Sequence, residues 1–87
     1  NFMISRERLD EFKDKLKLIT DSTLYYLEMS DKIIQEYDNC DQTDIEKLEE
    51  YDRKLADVQG KILSEQRTQR LFEEEYSDVV EYLRSSE

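Results

Sequence analysis

The chain has 87 residues, room for one domain at most. With no Pro, a single Gly and 41% charged residues, it lacks the turn formers that compact β and α/β folds draw on, and its charges alternate with apolar residues at helical spacing. The net charge of −10 divides into −3 over residues 1–38, −4 over 39–60 and −3 over 61–87, an even spread that would repel a nucleic acid duplex or an anionic membrane and would favour a partner with a basic face.

The chain opens at Asn1 rather than Met, as a segment cut from a longer protein would. Asn1-Phe2-Met3-Ile4 is too short for a signal peptide, and no apolar run approaches a membrane span, so membrane insertion is not expected.

The first helix is expected from about residue 5 to 38, with Ser5 as its N-cap, because a hydroxyl there accepts a bond from a free backbone N–H of the first turn. Its apolar seam reads Leu9, Phe12, Leu16, Ile19, Thr23, Tyr26, Ser30, Ile33, Tyr37. The steps alternate three and four, which keeps these positions on one face. Leu24, Leu27 and Ile34 form a second row beside the seam, making the apolar face wider than one partner helix covers.

Residues 39–43, Asn-Cys-Asp-Gln-Thr, contain no strong helix former and mark a turn. Thr43 with Glu46 has the spacing of a capping box, in which each side chain bonds the other residue's backbone N–H, and Asp44 and Glu46 suit the positive end of a helix dipole. Tyr37 and Ile45 stand on either side and could close the corner. Aligned with a calcium-binding loop, Asp38, Ile45 and Glu49 fit. Cys40, Gln42 and Thr43 do not, the last because the sharp turn needs Gly there, so no metal is expected.

From about residue 44 to 86 the seam continues as Leu48, Tyr51, Leu55, Val58, Ile62, Glu65, Gln69, Phe72, Tyr76, Val79, Leu83. The alternation never slips, which argues for one long helix even though residues 64–70 contain no apolar side chain and follow Gly60. The alternative is a break near residue 65 and a third helix over 68–86. A five-residue turn favours antiparallel neighbours.

The fold class expected is therefore all-α: residues 1–87 form a single module, an antiparallel helical hairpin or coiled coil that a partner completes into a helical bundle, with a three-helix bundle as the alternative. Without His, and with Cys40 as the only thiol, neither a metal site nor a nucleophile–base pair can be assembled in the usual way. Carboxylate runs such as Glu73-Glu74-Glu75 read as solvated helix surface. Neither enzyme activity nor a cofactor is expected. Tyr26, Tyr37, Tyr51 and Tyr76 fall on the seams and Tyr25 and Tyr82 flank them, where they pack with hydroxyls at the wet edge or offer contact area.

The expected function is protein–protein interaction, as an assembly or scaffold segment joined to a second copy or to helices of another protein. The alternative is a monomeric three-helix regulatory domain that binds a partner helix or a basic protein surface. The residues expected to carry the interaction are the apolar seam members Leu9, Phe12, Leu16, Ile19, Tyr26, Ile33, Tyr37, Leu48, Tyr51, Leu55, Val58, Ile62, Phe72, Tyr76, Val79 and Leu83, with Leu24, Leu27 and Ile34 beside them. A lone cysteine suits a reducing compartment, cytoplasm or nucleus.

Overall fold

The computed structural model describes residues 3–86; Asn1, Phe2 and Glu87, at the ends of the expected module, lie outside the described residues. Helix α1 spans Arg6–Asn39, α2 Ile45–Glu75 and α3 Ser77–Ser85, and no strand occurs among the described residues. At 1.5 Å per residue α1 is about 51 Å long and α2 about 46 Å. The two lie side by side as a hairpin in a rod of 64 × 20 × 17 Å. Its radius of gyration is 18.8 Å. A compact domain of this length would have about 12 Å.

The seams explain the pairing. Ser5 caps α1 as expected, its Oγ accepting the Arg8 N–H at 3.1 Å. Phe12 and Ile33 on α1 and Val58, Phe72, Tyr76 and Val79 on the second arm are buried, and all six are seam positions. The phase derived from three-four spacing is therefore the phase in which the helices pack.

The turn differs in detail. Asp44, not Thr43, is the N-cap of α2, its carboxylate accepting the Lys47 N–H at 3.1 Å. Thr43 instead turns back on Asp41, whose Oδ1 accepts both the Thr43 N–H at 2.9 Å and its hydroxyl at 2.7 Å. That pairing occupies the Thr43 side chain, so the capping box with Glu46 does not form. The same two bonds hold the Asp41 pKa below its ordinary value, the backbone one contributing most. Gln42 closes the other side, donating to the Cys40 carbonyl at 2.8 Å and the Tyr37 carbonyl at 3.3 Å at the end of α1. Tyr37 is half-buried but Ile45 is 60% exposed, so the two do not form a corner plug.

Helix α2 runs without interruption through 64–70, and the turn near residue 65 required by a three-helix bundle is absent. A Cβ added at Gly60 would meet nothing within 4 Å, so the site is an open stretch of helix surface. The break comes later, at Tyr76, with φ −109° and ψ 32°. It is a kink rather than a turn: the Tyr76 N–H still donates to the Phe72 carbonyl at 2.9 Å, and the Val80 N–H to the Tyr76 carbonyl at 3.0 Å. At the same place the Arg8 guanidinium donates to the Glu75 carbonyl at 2.9 Å, a side chain entering the helical ladder. The single second helix expected over 44–86 is thus two helices on one seam.

Candidate interaction surface

The residues of the seams and of the second row divide into those the hairpin consumes and those it leaves available. Phe12, Ile33, Val58, Phe72, Tyr76 and Val79 are buried within it. Leu9, Ile19, Tyr26, Tyr37, Leu48, Tyr51, Leu55 and Ile62 are half-buried along its edges. Leu16, Leu24, Leu27, Ile34 and Leu83 are exposed. Of the second row on α1, Leu24 keeps 52% of its surface in water, Leu27 45% and Ile34 43%. α2 covers the seam but does not reach this row.

Leu24 and Leu27 line one side groove with Leu16, Ile19, Thr20, Thr23 and Gln69, a volume of about 250 Å³. Gln69 is therefore a groove-edge residue, although its sequence position is on the seam. Glu65, its neighbour on the seam, does face α1: its Oε1 accepts the Ser22 hydroxyl at 2.8 Å. This polar pair sits between the two apolar parts of the interface and offsets part of the cost of placing a carboxylate there.

The end of the hairpin away from the turn is built differently. Phe12 stacks on Phe72 at 5.1 Å between ring centroids, and Tyr76 meets Phe72 at 4.9 Å and Phe12 at 5.8 Å. Arg8 lies over the Tyr76 ring at 4.1 Å and grips Asp78 with two donors, Nη2 at 3.1 Å and Nε at 3.3 Å. The hydrogen bond from Arg8 holds the Asp78 carboxyl below its ordinary pKa, and the reciprocal bond raises that of Arg8. The Tyr76 hydroxyl is buried with no hydrogen bond. The pKa of Lys15 is raised, its ammonium lying 5.2 Å over the Tyr76 ring and 3.6 Å from the Glu75 carboxylate.

Two features escaped the spacing argument. One is the Arg8 clamp, which joins residues 70 apart and becomes visible only once the helices are in register. The other is a groove of about 320 Å³ on the opposite side of the hairpin, where Leu18, 71% exposed, and Leu71, 59% exposed, flank Ile19 and Phe72. Leu18 and Leu71 are out of phase with the seams; the only signal in the sequence was their being leucines at positions where polar residues would do.

Among the described residues, no group of three or more His, Cys, Asp or Glu side chains is placed to hold a metal ion. Among the same residues no helix is long and apolar enough to cross a membrane. No protein-family description matches the chain, and comparison with curated proteins and with solved structures returns no match.

Proposed function

We propose that the chain is a non-enzymatic protein–protein interaction module, a helical hairpin that acts as an assembly or scaffold segment and is completed into a bundle by helices from outside it. The observation that carries this reading is the outer row of α1: Leu24, Leu27 and Ile34 remain 43–52% exposed after α2 has docked. The small core supports it, since among the described residues six buried side chains hold a rod 64 Å long and small single cores rarely supply more than roughly 3–5 kcal/mol. The absence of His from the sequence and the lone thiol support a binding rather than a catalytic role. That thiol also suits a reducing compartment, cytoplasm or nucleus.

A monomeric domain that accepts a partner helix is the second reading, and the Leu18–Leu71 groove favours it. Light scattering coupled to gel filtration, with thermal melts over a range of concentrations, tests the first. The expected result is association or marginal stability in isolation, and loss of association in Leu24→Glu with Leu27→Glu, substitutions outside the buried seam. A monomer that unfolds cooperatively at low concentration, unchanged by the two glutamates, would refute the assembly reading.

A further inference from the structure

The uncovered row on α1 is longer than its three apolar members. Lys13, Lys17, Thr20, Leu24, Leu27, Asp31, Ile34 and Asp38 follow one another in steps of four and three, and every one is exposed. They therefore form a continuous stripe along α1. Both lysines lie toward the start of α1, both aspartates toward its end, and the adjacent leucines stand at the middle. The stripe is balanced, two positive and two negative, on a chain whose net charge is −10. On α2, the side marked by Gln69 continues through Gln66, Arg70 and Glu73, and Leu63, 63% exposed, stands three residues before Gln66 at helical spacing.

Such a stripe is complementary to itself when reversed. A two-fold axis midway between Leu24 and Leu27 sets Leu24 against Leu27 of another α1, Lys13 against Asp38, and Thr20 against Asp31, while the Lys17 stem covers Ile34. Laid parallel, the same stripe would oppose Lys13 to Lys13, Asp31 to Asp31 and Asp38 to Asp38, like charges that disfavour that arrangement. From residue 13 to 38 the contact is roughly 39 Å long by the helical rise. Over the roughly 10–12 Å width of one helix this covers on the order of 400–470 Å² per copy, about half the roughly 800 Å² per partner of a standard interface and of the size of a weak, reversible pairing.

We propose that the stripe binds α1 of a second copy of this chain, antiparallel, about an axis between Leu24 and Leu27. This rests on the interaction-module reading and names its partner. The test uses the whole chain with Cys40→Ser as background, so that only introduced thiols react. Thr20→Cys and Asp31→Cys chains, mixed and oxidised, are expected to yield a disulfide-linked heterodimer, while neither variant alone does so, because like positions would lie roughly 16 Å apart along the axis. In the uncrosslinked chain, Lys13→Glu is expected to weaken dimerisation about tenfold, and adding Asp38→Lys to restore it to within about threefold. A covalent dimer from Thr20→Cys alone, or no rescue by the charge exchange, overturns the antiparallel pairing. A monomer at every concentration overturns the second copy as the occupant: if that monomer is marginally stable, the module reading stands with another partner, and if it is stable, both fall.

Discussion

The two ends of the hairpin are held by different chemistry. At the turn, the closing contacts are local: Asp41 with Thr43, Gln42 with the carbonyls of Tyr37 and Cys40, and Asp44 with Lys47, all of them exposed hydrogen bonds. At the far end, the contacts join residues remote in sequence, with three aromatic rings in mutual contact and Arg8 bound to Asp78 and the Glu75 carbonyl. A hairpin with strength only at its turn would fray at its tips. Here the apolar anchor sits where fraying would start, and Ile33 and Val58 are the only buried residues in the half nearer the turn among the described residues. The aromatic end therefore carries the larger share of the packing energy, and the turn chiefly sets where α2 begins.

Substitution at each end tests that division most strongly. Phe72 is 6% exposed and touches both other rings, so Phe72→Ala is expected to cost about 3–5 kcal/mol. Ile33→Ala is expected at the low end of its range, about 2 kcal/mol. Ile33 borders an open groove with Met29 and Val58, into which its neighbours can settle. Denaturant melts measure both. Equal losses would mean that packing is uniform along the rod.

The cap gives a smaller effect, confined to the turn. Asp44→Ala removes the acceptor for the Lys47 N–H and is expected to cost about 1 kcal/mol, within the 0.5–2 kcal/mol of such caps. Thr43→Ala leaves that bond in place and is expected to cost less. Hydrogen exchange should show faster opening at the start of α2 in Asp44→Ala, with the amides around Phe72 unchanged. If Thr43→Ala proved the more damaging, its turn with Asp41 would be setting the helix start.

How far the sequence foretold this arrangement depends on the scale of the feature. Helix existence, the site of the turn and the seam phase were legible, because each follows from periodic spacing or from a run of weak helix formers. The cap was read one residue early, because Thr43 and Asp44 are both good N-caps and the choice fell to Asp41, whose carboxylate takes the Thr43 side chain. Continuity through 64–70 followed from phase despite the missing apolar residues. The kink at Tyr76 was not legible, because the three-four spacing runs through it unbroken and the Arg8 contact beside it comes from the first turn of α1. The exposed row of Leu24, Leu27 and Ile34 was foreseen from its width beside the seam. Its extension into the charged positions was not, because charges on a helix surface look alike until the covered side is known.

The clamp at the aromatic end should give the subtlest effect, since Arg8 and Asp78 are both partly solvated and an ion pair of this kind contributes less than packing. Its direction is nevertheless fixed. Bonding to Arg8 lowers the Asp78 pKa in the folded chain, whereas an unfolded Asp titrates near about 4. Between the two values the unfolded chain binds the additional proton. The contribution is therefore complete above about pH 4 and lost as pH falls through the folded pKa. Asp41, lowered by Thr43, behaves the same way at the turn. Asp78→Asn cannot ionise at that site, so it should remove the acid-dependent loosening of α3 and the start of α1 while the turn still responds through Asp41. Hydrogen exchange or amide chemical shifts followed from pH 6 downward would separate the two ends. An α3 that loosens in acid equally with and without Asp78 would show that the Arg8 clamp does not hold the aromatic end, leaving the stacked rings alone to do so.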